Sequence, residues 1–141
     1  MAYAAIGDLL ARAGRDELVQ VADRDGDGVA DPQVVEAALL HADTTIDGYV
    51  AARYQVPLTA VPALVRTWAV AIARYWLHRD GAPEHVRRDF DDALASLKDA
   101  GRGTVVIPGA DGIVPPAAGG GQVLSEIPAP VFTDESLRGW R

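Results

Sequence analysis

With 141 residues, 49% of them hydrophobic, the chain can close one modest core but rarely two. It has no cysteine, which excludes disulfides and thiolate metal sites and suits a reducing compartment. A formal charge of -7 argues against tight nucleic-acid binding, which draws its affinity from Lys and Arg neutralising phosphates.

The opening MAYAAIGDLLARAG lacks the basic region and unbroken apolar run of a signal peptide. No later stretch approaches the roughly 20 apolar residues of a membrane span, so a soluble, intracellular product is expected. Two short helical pieces are expected around Gly7 to Ala13 and Arg15 to Ala22, separated near Gly14. Their few apolar residues, Leu9, Leu10, Leu18, Val19 and Val21, are too few for independent stability and require a partner surface.

Asp23 to Asp31, DRDGDGVAD, is the sharpest local motif. Asp23, Asp25 and Asp27 with Gly28 at the sixth position copy the first half of a calcium-binding EF-hand loop, and Asp31 stands at the ninth. The twelfth position is Val34, where a bidentate Glu is needed. The structural reading is therefore preferred: a Gly-rich acidic turn in which Asp31 caps a helix opened by Pro32. Calcium on Asp23, Asp25, Asp27 and Asp31 is the one cofactor to consider; otherwise none is expected.

From Pro32 to about Tyr54, apolar residues recur at helical spacing and predict the spine of the domain. Asp43 and Asp47, one turn apart, read as solvated or ion-paired structural acids, because no matching His, nucleophile or phosphate loop accompanies them. Gly48 inside this helix suggests close approach of another backbone. Pro57 and Pro62 forbid continuous helix and make a short, stiff link, so Gly48, Pro57 and Pro62 are the candidate hinge. Val61 to Arg79 follows as the most apolar helix, whose Arg66, Arg74 and Arg79 are expected to face Asp43 and Asp47 or a second subunit. Its Trp68, Tyr75 and Trp76 read as core or subunit contacts rather than a stacking platform for nucleic acid.

A helix from Glu84 to Ala100 comes next, opened by Pro83 and closed by Gly101 and Gly103. His41, His78 and His85 read as turn and surface histidines without ligand spacing. At Arg102 the composition changes: the last 40 residues hold seven of the 14 glycines and five of the nine prolines, which cannot build a compact core. Within this arm, Thr104 to Ile107 and Gln122 to Ile127 could pair as short β-strands or add to a neighbour's sheet. Its end reads as a small hook, with Thr133 capping a helical turn and Phe132 stapled on Leu137; Phe132, Leu137 and Trp140 are candidate interaction residues. The expected fold is all-α: a small helical bundle with a long central helix over residues 1-101 and an extended arm over 102-141.

Five stretches together carry a resemblance: the Met1-Ala2-Tyr3 opening, DRDGDGVAD, IDGYVAARYQVPL from Ile46, IARYWLH from Ile72 and FTDESLRGW at the end. In order and spacing they resemble the Mu-type phage proteins long catalogued as a domain of unknown function and related to head-to-tail adaptors. The resemblance implies a helical adaptor with extended arms gripping neighbouring components, assembled as a homo-oligomeric ring, a dodecamer, beneath the portal protein in the virion neck. It would be assembled in the bacterial cytoplasm, join the capsid to a tail-completion or stopper protein, and let genomic DNA pass through its lumen. It implies no catalytic residues, and the residues agree. Three serines, three histidines and no cysteine offer no recognisable nucleophile-base pairing. The alternatives are a small calcium-binding interaction module built on Asp23 to Asp31, or a tail-completion protein.

Overall fold

A computed structural model describes residues 2–112. Five helices follow one another: α1 (Ile6–Ala13), α2 (Arg15–Ala22), α3 (Pro32–Val50), α4 (Ala63–Leu77) and α5 (Glu84–Arg102). No strand forms among the described residues, where Tyr54 and Gly112 make an isolated antiparallel bridge. The all-α expectation holds there.

The punctuation residues explain the boundaries. Gly14, at φ 85°, closes α1 with its N–H on the Leu10 carbonyl and opens α2. Pro32 starts α3 at a position where a missing N–H costs nothing. Gly103, in the left-handed region that glycine occupies without penalty, terminates α5. Among the described residues no helix is long and apolar enough to cross a membrane.

The helices α3, α4 and α5 pack on one another, with α1 across α4 and α3. Ala38, Ala42, Ile46 and Val50 give α3 a fully buried stripe, met by Val65, Ala69, Ile72, Ala73 and Leu77 of α4 and by Leu97 and Ala100 of α5. Alanines alternating with large aliphatic residues let the helix axes approach closely. As expected, α4 is the most apolar helix of the core. Two of its residues depart from the expected pattern: Leu64 is 36% and Trp76 40% exposed.

The spine is shorter than expected. It ends at Val50, and residues 51–54 turn rather than continue. Thr104 to Ile107 forms no strand; it bends back over the body, which places Ile107 in the core at 1% exposure. The compact body therefore runs past residue 101. The expected strand at Gln122 to Ile127 and the hook lie outside the described residues.

Candidate functional site

The connector between α3 and α4, residues 51–62, is where chain-distant segments meet. Its Val56–Pro57 peptide is cis. Tyr3, just before α1 and 1% exposed, ties α3 to this connector. Its backbone N–H donates to Asp43 Oδ1 at 3.0 Å, its hydroxyl donates to Asp47 Oδ1, and the same hydroxyl accepts the Leu58 N–H at 2.9 Å. Burial, then the bond to Asp47, pushes the Tyr3 phenol up from 10.0 to about 12. Burial likewise raises Asp43 above its usual 3.8, against the lowering effect of the Tyr3 N–H. Asp43 and Asp47 are thus structural acids, as read from sequence, but they are held by Tyr3 and not by an ion pair, and Asp43 is buried, not solvated.

A second tyrosine fixes the other side of the connector. Tyr54 is buried and its hydroxyl accepts the Ile107 N–H at 3.0 Å. The Gln55 N–H donates to the Asp111 carbonyl at 3.1 Å, and the Thr59 hydroxyl to Asp111 Oδ2 at 3.1 Å. The N-terminus, the connector and the start of the arm are therefore fastened to one another. Every one of these links joins residues that are remote in sequence, so no local periodicity could have signalled them.

Glycine supplies one more correction here. Gly48 approaches no other backbone: a Cβ added there meets nothing within 4 Å. The close approach belongs to Gly101 of α5, where a Cβ would stand 2.6 Å from the Tyr49 carbonyl oxygen. At the next glycine, Gly103, the space is filled by the Arg53 guanidinium, which donates to the Arg102 carbonyl at 3.3 Å. Of the three candidate hinge residues, Pro57 and Pro62 lie in the connector and Gly48 lies on an exposed face of α3.

Neither Arg66 nor Arg74 of α4 pairs with Asp43 or Asp47. Arg74, 7% exposed, grips Glu17 of α2 through two parallel hydrogen bonds of 2.6 Å. These bonds hold Glu17 below the usual carboxylate range, with help from His78. His78 lies 3.2 Å from Glu17, and His85 3.4 Å from Arg74. With its side chain 10% exposed, His78 is a packed member of this ionic cluster, not a surface histidine. Arg66 instead approaches Asp8 of α1 at 3.9 Å. Trp68 is core, Tyr75 stacks on Phe90, and Trp76 stacks on His41.

Beside this cluster, α1, α4 and α5 enclose an open groove of about 560 Å³. Trp68, Val70 and the alanines Ala11, Ala71 and Ala93 line it with apolar groups, and Asp8, Arg12, Arg66, Arg74, Asp89 and Asp92 stand around them. Arg12 bonds Asp89 across it at 2.8 Å.

The acidic loop brings three of its four candidate ligands together. One carboxylate oxygen each from Asp23, Asp25 and Asp27 lie within 4.8 Å of one another. Asp31 is turned to another task, accepting the Arg24 N–H at 2.8 Å. It occupies the cap position of α3 without a side-chain bond to that helix. The clustered carboxylates are themselves engaged: Asp23 accepts the N–H of Gly26 at 2.6 Å and Gly28 at 2.9 Å, Asp25 that of Asp27, and Asp27 that of Val29. The Gly28 bond, foremost, lowers the Asp23 pKa. Calcium takes six to eight oxygens, so three carboxylates that already brace the turn form an incomplete cage.

The candidate interaction residues Phe132, Leu137 and Trp140 lie outside the described residues. Comparison with known proteins gives a consistent result over the rest. The chain is 35% identical over 99 residues to gene product J of Escherichia phage Mu, covering 70% of each protein. It is 36% identical over 75 residues to the Mu-like prophage FluMu protein gp36 of Haemophilus influenzae, about half of each chain. The family described as Bacteriophage Mu, Gp36 matches residues 3–125, and to that family of Mu-type phage proteins this chain belongs.

Proposed function

We propose that this chain is a non-catalytic morphogenetic protein of the virion: a head-to-tail adaptor that assembles as a ring beneath the portal and joins the capsid to the tail. The observation that carries this reading is membership of the Mu Gp36 family. The build of the body is compatible with it. A ring of identical subunits needs a rigid wedge, because the rotation from one copy to the next must close. The α3–α4 connector, held by Tyr3 on one side and Tyr54 on the other, supplies such rigidity. In this reading the expected partners are further copies of the chain, the portal protein and a stopper or tail-completion protein. The acidic balance of -7 suits a lumen through which DNA slides without adhering, since like charges repel.

The test is genetic and structural. Phage lacking the gene should accumulate DNA-filled heads and separate tails, and a reconstruction of the wild-type neck should place a ring of this chain directly against the portal. Normal infectious particles without the gene, or a position elsewhere in the virion, would refute the reading.

A further inference from the structure

Between α1 and α3 the chain runs through α2 and the acidic loop, residues 15–31, and little attaches this stretch to the body. Leu18 and Ala22 are its only buried residues, with Val21 and Ala30 partly buried against the core. The eight residues of α2 pack on α1 and only lightly on the other helices. A helix that short does not hold itself together in water, so its order comes from the surface on which it is docked.

Polar ties to the body are fewer still. The hydrogen bonds of the loop close on the stretch itself: Asp23, Asp25 and Asp27 accept N–H groups of residues 26–29, Asp31 accepts that of Arg24, and the Asp31 N–H donates to the Ala22 carbonyl. They fasten the loop to the end of α2 and make the two a unit. Apart from backbone bonds at its ends, one side chain of residues 15–31 reaches out of the unit among the described residues, Glu17, on Arg74 and His78. At the near end Gly14, at φ 85°, interrupts the helix, so α2 is not a continuation of α1 and does not share its docking.

Release of Glu17 does not strand Arg74. A buried guanidinium left with no acceptor would oppose the movement strongly. Here Nη1 of Arg74 already lies 3.9 Å from Asp89 Oδ2 of α5, so a second carboxylate is within reach when the first departs.

We propose that residues 15–31 are a flap that opens from the body as one unit, latched by the carboxylate of Glu17 on Arg74 and His78. Opening uncovers the side of Arg74 and His78 that Glu17 holds, while α1, α3, α4 and α5 stay packed. The carboxylate thus sets how often this cationic corner of the body is accessible.

Native-state hydrogen exchange of the full chain in rising urea tests the flap. A unit that opens by itself exchanges from a state lying below global unfolding in free energy, and the urea slope follows the surface that each opening exposes. The amides of residues 18–23 should therefore exchange at least about a hundredfold faster than the slowest amides of α4, with a urea slope less than about half of theirs. Glu17→Gln, which keeps the size of the side chain and removes its charge, should speed the amides of residues 18–23 at least about tenfold. Glu36→Gln, an exposed acid on α3, should leave them as in wild type. A common slope and rate for residues 18–23 and α4 would overturn the flap, and unchanged exchange in Glu17→Gln would overturn the latch. The slopes are read on the wild-type chain and need no variant to fold.

Discussion

Replacing Tyr3 with Phe tests whether the N-terminus holds the connector. The substitution keeps the ring and its packing, and removes one oxygen that serves two partners, Asp47 and the Leu58 N–H. Leu58 is 1% exposed, so its N–H is left without a partner and without water. An orphaned buried donor costs about 1–3 kcal/mol. For a domain of this size each kcal/mol moves the melting temperature by roughly 4 °C, so Tyr3→Phe should melt about 4–12 °C below wild type. Alkaline titration adds a second signature. The Tyr3 phenol stands at about 12 in the fold against 10.0 when free. Below pH 10 both states keep the proton and the stabilisation is complete. As pH rises through 12 the unfolded chain releases its proton first, and the contribution is lost. The gap between wild type and Tyr3→Phe, read by urea unfolding, should therefore be constant below pH 10 and shrink from 10 towards 12. A Tyr3→Phe chain with wild-type unfolding midpoint at neutral pH would refute this account of the clasp.

Three further outcomes follow from the same geometry. Gly101→Ala drives a Cβ against the Tyr49 carbonyl and should cost about 1–3 kcal/mol by overpacking, whereas Gly48→Ala enters open space in a helix and should gain about 0.5–1 kcal/mol; thermal unfolding of both decides, and equal signs would contradict the packing. Glu17→Gln weakens the grip on buried Arg74. Because Glu17 titrates below its usual 4.5 in the fold, its stabilisation is full above that pH and lost as pH falls through the folded value, so the difference from wild type should vanish in acid. Calcium should produce no calorimetric heat and no rise in melting temperature, since the carboxylates of Asp23, Asp25 and Asp27 already accept the loop's own N–H groups; saturable binding with stabilisation would overturn that.

The helices were legible because their signals are local. Apolar spacing marked the buried faces of α3 and α4, and Gly14, Pro32, Pro83 and Gly103 marked ends that backbone chemistry imposes. What escaped sequence reading was pairing across the chain. Tyr3 stands outside any helix, so no period announced that it is buried against residues 40 to 55 positions away. Arg74 was expected to face either the acids of the preceding helix or a second subunit, and its partner within the chain, Glu17, is 57 positions away. The two helix glycines show the same limit. Both weaken a helix in principle, and only the packing of α5 on α3 tells which of them is needed for close approach.

These long-range links converge on one end of the body, with a mechanical consequence. The arm departs beside residues that hold the connector: Ile107 through Tyr54, Asp111 through Gln55 and Thr59, and Gly103 against Arg53. A force on the arm therefore reaches the connector first, before it can peel α5 from the core. The connector in turn sets the relation of α3 to α4, and Tyr3 opposes its displacement from the other side. The order of this end of the body then has one source, the two buried tyrosines that flank the connector.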